Sequence, residues 1–177
     1  GGNSAAASAG ATTACNSLRS HWCSGSASCR RCHTMAIGIG GVGSWLVEAL
    51  ARSGIGGISL FDADDICVSN SNRQLPALEG NFGLNKAELM KTRCLAINPE
   101  MQVEAVASFI TPANMAEWLE PGFDLVIDAC DSFRVKVELI AWCRRRKQKI
   151  IVVGAALQVA HRHRHDNEHC ARLAAEH

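Results

Sequence analysis

Tyrosine is absent from this 177-residue chain, and histidine is missing from residues 35–155, where the hydrophobic patterning is concentrated. The side chains that most often serve as acid or base in hydride transfer are therefore not at hand in the core. No apolar run approaches the ~20 residues that a membrane-spanning helix needs, so no membrane segment is predicted. An excess of one charge is lacking too: 18 Lys+Arg against 17 Asp+Glu leaves a formal net charge of +1. Whole-chain charge thus gives no pull towards nucleic acid or an anionic membrane. The first 34 residues contain no Asp or Glu, only three Arg among Ala, Ser, Gly and Thr. Such a stretch cannot bury enough apolar surface to offset the entropy of ordering it.

Residues 1–34 are accordingly expected to form a low-complexity, disordered or wrongly translated leader. Two other readings compete. A transit peptide shares the Arg- and Ser-rich, acid-poor composition, but no amphipathic helix or initiating Met accompanies it. Cys23, Cys29, Cys32 and His33 could hold a metal, but no second ligand pair follows at zinc-finger spacing. At the other end, residues 156–177 are expected to be an irregular tail around His161, His163 and His165, a composition that also suits metal binding. Cys67, Cys94, Cys130 and Cys143 are well separated, in or beside apolar segments, and read as buried, reduced thiols of a cytoplasmic protein.

Between these ends, 35–155 has the length of one domain. Thr34–Ile37 reads as a strand, Ser44–Ser53 as a helix stopped by Gly54 and Gly56, and Gly57–Phe61 as a strand. A polar loop spans Asp64–Gly83, and a loop that long inside a compact domain is usually functional or disordered. Asn85–Ile97 is a helix stopped by Asn98-Pro99, and Gln102–Ser108 a strand. Thr111-Pro112 opens a short helix to Trp118 or Leu119, with Pro at its first position. Asp124–Ala129 is a strand, Phe133–Arg145 a helix and Lys149–Val153 a strand. Alternating strand and helix predict an α/β, Rossmann-like, mostly parallel sheet with helices on both faces.

The chemistry collects after the strands. Gly38-x-Gly40-x-x-Gly43, with Gly41 inside it, follows a strand and opens a helix. In that context glycines let the backbone approach phosphates, and the helix N-terminus offers free N–H groups to them. The plainer alternative is a tight turn whose glycines only allow packing. Asp62, nineteen residues past Gly43, stands where an acid can hold a ribose. Asp64 and Asp65 read as solvated loop charges. The glycines alone do not separate NAD from ATP. Arg73 and Lys86 do favour ATP, because paired cations suit phosphate oxygens that gain charge during transfer. Otherwise they are a surface salt bridge and an exposed helix residue. Asp131, just past the Asp124–Ala129 strand, can hold magnesium, or it or Ser132 can cap the next helix.

Taken together, IGIGGVGSW (37–45), EALARSGIG (48–56), DICVSNSNRQ (65–74), INPE (97–100), FITPAN (109–114), VIDACDS (126–132) and LIAWCRR (139–145) resemble the MoeB/ThiF-type, ubiquitin-activating-enzyme superfamily over residues 35–155. FITPAN and LIAWCRR resemble its tRNA threonylcarbamoyladenosine dehydratase branch. The resemblance implies ATP-dependent adenylation of a carboxylate, here the threonylcarbamoyl group of a modified adenosine in tRNA, and ring closure with loss of water. It implies that Asp62 holds the ribose and that Ser69, Asn70 and Arg73 meet the nucleotide. It also implies that Lys86 stabilises the transition state and that Asp131 binds Mg2+. A homodimer is implied for the intact family. In other branches the partner is a ubiquitin-like sulfur-carrier protein. An inactive nucleotide-binding remnant is the alternative, since both ends depart from the family as if a frame shift or misassembly had replaced them. The run Arg144–Lys149 would attract a tRNA backbone, or simply complement a helix C-terminus.

Overall fold

The structure, a computed structural model, describes residues 28–153. The expectations for 1–27 and for the His-rich tail lie outside the described residues. Five strands run β1 (His33–Ile37), β2 (Gly57–Phe61), β3 (Gln102–Val106), β4 (Leu125–Asp128) and β5 (Ile150–Val152). Four helices join them: α1 (Gly43–Arg52), α2 (Lys86–Ile97), α3 (Met115–Leu119) and α4 (Phe133–Arg146). All strand pairings are parallel, in the order β3-β2-β1-β4-β5. The chain thus winds outwards from β1 to β3, then returns to start again at β4. The switch point lies between β1 and β4, which is where an open parallel sheet binds its ligand.

The central strands are covered on both faces, as their near-continuous apolar runs require. On one face Ala36, Ile58 and Leu60 pack with Val47 and Ala51 of α1 and with Ala87, Met90 and Cys94 of α2. On the other, Met35, Ile37, Phe61 and Val126 pack with Met115 and Leu119 of α3 and with Leu139 and Cys143 of α4. Strand alternation sends neighbouring residues to opposite clusters, so a one-residue slip of β1 would place every side chain on the wrong side.

Helix ends follow local chemistry. The Asn85 side chain accepts from the N–H groups of Ala87 and Glu88 and starts α2. Ser132 accepts from the Val135 N–H and starts α4. That helix closes at Lys147, in the left-handed region at φ 55°. Arg146 lies 4.7 Å over the Trp142 ring. Arg144, Arg145 and Arg146 occupy the last turn of α4, where cations oppose the helix dipole.

Three expectations need correction. The ordered fold begins before residue 35. Cys29–Arg31 form a 3-10 turn whose Cys29 carbonyl accepts the Gly56 N–H, and β1 starts at His33. His33 is a structural residue: its Nε2 lies 3.1 Å from Ser59 Oγ, which donates to Glu104, and its ring meets Phe123 edge-on. Helix α3 starts at Met115, not at Pro112. The Asn114 side chain accepts the Thr111 N–H at 2.7 Å, so 111–114 forms a turn in place of a first helical turn. The loop 64–83 is internally tied: Ile66 donates to the Leu84 carbonyl and accepts from Gly83. Of the core thiols, Cys94 and Cys143 are buried, while Cys67 and Cys130 are only half-buried.

Candidate functional site

A cavity of about 430 Å³ opens at the switch point, lined by the β1, β2 and β4 exits, the 64–74 loop and Lys86 at the start of α2. Its glycine floor is sterically required. Gly38 has φ 83°, and a Cβ there would lie 2.8 Å from Cys130 Cα. A Cβ on Gly43 would lie 1.9 Å from the Gly38 carbonyl oxygen. Backbone meets backbone at both points, so no side-chain adjustment could relieve the clash. Gly43 therefore shapes the loop from behind and does not line the cavity, unlike Gly38, Gly40 and Gly41.

Asp62 leaves β2 buried. One carboxylate oxygen accepts the Ile39 N–H at 2.6 Å and the other the Asp64 N–H at 2.9 Å. Burial pushes its carboxyl above the ordinary aspartate range. The Ile39 N–H and the nearby Lys86 charge pull the other way. Asp62 is thus fixed against the glycine loop with lone pairs left towards the cavity. Lys86 is also buried, and its Nζ donates to Asp64 at 3.0 Å. Asp64 is thus an exposed loop charge, as expected from sequence, that also lines the cavity and orients Lys86. Asp65 stays exposed and bridges to Asn85 through its backbone.

Arg73 lies alongside Gly41 and donates through Nη1 to the Ser69 carbonyl and the Asn72 side chain. Asn70 is buried, and its Oδ1 accepts the Cys67 N–H, which leaves the amide NH2 without a partner among the described residues. Ser69 does not line the cavity; it holds Arg73 through its carbonyl. Asp131 is exposed on the cavity rim, with no hydrogen-bond partner among the described residues. Ser132 is the cap of α4, so Asp131 is spared that role.

Several lining residues stand inside the quoted motifs without any role read for them from sequence. Phe109 and Ile110 form the wall beyond β3, and Gln74 is buried with its Oε1 unpaired. A buried ion pair joins Asp128 to Lys136, one turn into α4. Helical spacing from the cap would have placed Lys136 on the inner face, but nothing in the sequence flags a lysine as buried. Cys130 lines the cavity as well, and burial, then its bond to Asp128, pushes its thiol up to about 12. That environment favours the protonated thiol over the thiolate.

The ThiF family profile matches residues 18–173. The chain belongs to the ThiF family. It is 54% identical over 127 residues to the tRNA threonylcarbamoyladenosine dehydratase of Haemophilus influenzae, covering 72% of this chain and 49% of that protein. The Escherichia coli dehydratase shares 54% over 124 residues, covering 70% and 46%. The crystal structure of the E. coli enzyme in complex with ATP superposes with a TM-score of 0.71 at 52% identity, covering 72% of this chain and 53% of that one. The molybdopterin-synthase adenylyltransferase of H. influenzae is more distant, 30% identical over 125 residues, covering 71% and 51%. The chain spans about half the length of the curated relatives it matches.

Proposed function

We propose that this chain carries the nucleotide half of an ATP-dependent carboxylate-activating enzyme whose substrate is the threonylcarbamoyl group of modified adenosine in tRNA. The observation that carries this reading is the gathering of Asp62, Asn70, Arg73, Lys86 and Asp131 on one cavity beneath the glycine loop. Asp62 accepts from the ribose hydroxyls. The backbone N–H groups around Gly40 and Gly41 face the phosphates. Arg73 and the Asn70 amide hold phosphate oxygens, and Lys86, kept in place by Asp64, neutralises charge at the α-phosphate.

A substrate carboxylate oxygen attacks the α-phosphorus, the bond to the β-phosphate oxygen breaks, and pyrophosphate leaves. A nucleophile within the same side chain then attacks the activated carbonyl. AMP departs with the former carboxylate oxygen, and the ring closes with net loss of water. A carboxylate is a poor acyl donor until its oxygen can leave as a phosphate ester, and ATP meets that need.

The donors fit magnesium. Groups of three or more His, Cys, Asp or Glu side chains able to hold a metal are absent among the described residues. Mg2+ commonly takes one or two carboxylates together with substrate phosphates and water. Asp131 would hold it; when bound, magnesium supplies charge neutralisation for the leaving pyrophosphate.

No helix among the described residues is long and apolar enough to cross a membrane. The exposed Arg144–Lys149 run is a second contact for the tRNA backbone, and the working unit is a homodimer. Pyrophosphate release tests the reading: release that requires the modified tRNA supports it. Release driven by a ubiquitin-like protein transfers the chain to the sulfur-carrier branches.

A further inference from the structure

Lys136 is buried where a lysine is unusual, and it has two partners. Its Nζ donates to Asp128 Oδ2 and, at 3.3 Å, to the Val153 carbonyl. Asp128 is fully buried, and its other oxygen accepts the Cys130 N–H at 3.0 Å. The Val153 N–H in turn donates to the Asp128 carbonyl at 2.8 Å. One ammonium thus ties the end of β4, the first turn of α4 and the exit of β5. The segment it clamps packs on the glycine loop, since Cys130 Cα is what a Gly38 side chain would strike. Asp131 is the next residue. It has no partner among the described residues, so its direction is set by the backbone on either side. Cys130 is fixed by Asp128 and Ser132 by its cap on α4.

Resting on the adenylation reading above, we propose that Lys136 is a positioning residue. Clamped between Asp128 and the Val153 carbonyl, it sets the β4–α4 turn so that Asp131 meets the metal of the bound nucleotide. Stability alone does not account for the arrangement, because a buried ion pair is often no better than an apolar pair of equal volume. What the pair provides is a fixed backbone beside Asp131, a cavity carboxylate with no hydrogen-bond partner of its own among the described residues.

Single removal of Lys136 would strand a buried carboxylate and endanger folding. The test therefore uses Asp128→Asn/Lys136→Met, which removes both charges and keeps an amide oxygen for the Cys130 N–H. ATP binding is titrated by calorimetry in EDTA and at rising Mg2+, with circular dichroism to check the fold. Groups supporting a metal ligand typically contribute 10–100-fold in metal affinity. The double variant should bind ATP in EDTA within about twofold of the parent and need roughly tenfold more Mg2+ for half-maximal enhancement. Lys136→Arg, which keeps the charge, should stay near the parental Mg2+ requirement. An unchanged Mg2+ requirement in the folded double variant overturns the inference. If that variant does not fold, Asp128→Asn/Lys136→Gln, which removes both charges and keeps a donor facing an amide oxygen, is judged by the same tenfold criterion. A parent chain that binds no ATP overturns the functional reading and this inference with it. A parent that binds, beside a variant with parental Mg2+ dependence, overturns this inference alone.

Discussion

Replacing Lys86 by methionine separates a structural cation from a functional one. The side chain of Lys86 is 8% exposed while that of its partner Asp64 is 55% exposed. Losing the pair therefore returns Asp64 to water, and methionine refills the volume of the lysine stem. The stability change should stay within about 1 kcal/mol, the usual worth of a half-exposed pair. The nucleotide would lose a charge-assisted contact worth about 1.5–3 kcal/mol. That is roughly a 10–150-fold weaker Kd for ATP. Adenylation should fall further, by about 10²–10³-fold, as when an oxyanion donor is removed. There is a pH consequence as well. Burial already raises the Asp62 carboxyl, and Lys86 opposes the rise. A raised folded-state pKa means that the native state holds the proton more tightly. ATP binding, which needs the ionised form, is then lost at a higher pH than an ordinary aspartate would impose. Without Lys86 that acid limb should move higher still. Calorimetry from pH 4 to 8, paired with thermal melts, reads both effects. A variant that melts well below the parent but binds ATP equally well would show Lys86 to be scaffolding and refute the assignment.

Gly43→Ala should lose roughly 1–3 kcal/mol by overpacking against the Gly38 carbonyl, visible as a lower Tm, and should weaken ATP binding; parental values for both would refute the tight loop. Glu48 is held below its usual range, chiefly by its hydrogen bond to Arg93, with burial opposing. A depressed folded-state pKa stabilises above the unfolded value of about 4.5 and is lost as pH falls through the lower folded one. Glu48→Gln should therefore lower Tm at pH 7 and lose its effect in acid, and an effect independent of pH would contradict the pairing. Arg73→Ala should weaken ATP binding without altering Tm by more than a degree or two, since Arg73 is exposed and, among the described residues, its side chain bonds only to the Ser69 carbonyl and the Asn72 side chain.

The strands and helices were legible because their signals are local. Apolar runs bounded by glycine or Asn-Pro gave β2 its observed ends and the two long helices theirs to within a residue or so. The glycine loop, Asp62 and Asp131 could be placed on one cavity because each follows a strand, and a parallel sheet brings such positions to one edge. Most of the misses share a cause: they depend on partners farther away in sequence than a local signal reaches. The Cys29–Arg31 turn sits in a stretch of leader-like composition, and what secures it is the Gly56 N–H. Asp64 is exposed as its composition suggests, but its pairing with Lys86, 22 residues on, has no local signal. Thr111-Pro112 has helix-opening chemistry, but Asn114 turns back on Thr111 first. Lys136 looks like any helical lysine until Asp128 and Val153 close over it.

Calorimetric titration of the folded chain with ATP and Mg2+, with NADH run in parallel, tests the central claim most directly. Saturable heat from ATP at one site per chain, and weaker or no binding of NADH, is the result predicted by the cavity beneath the glycine loop. Silence with ATP from a folded sample, or tighter binding of NADH, would contradict it.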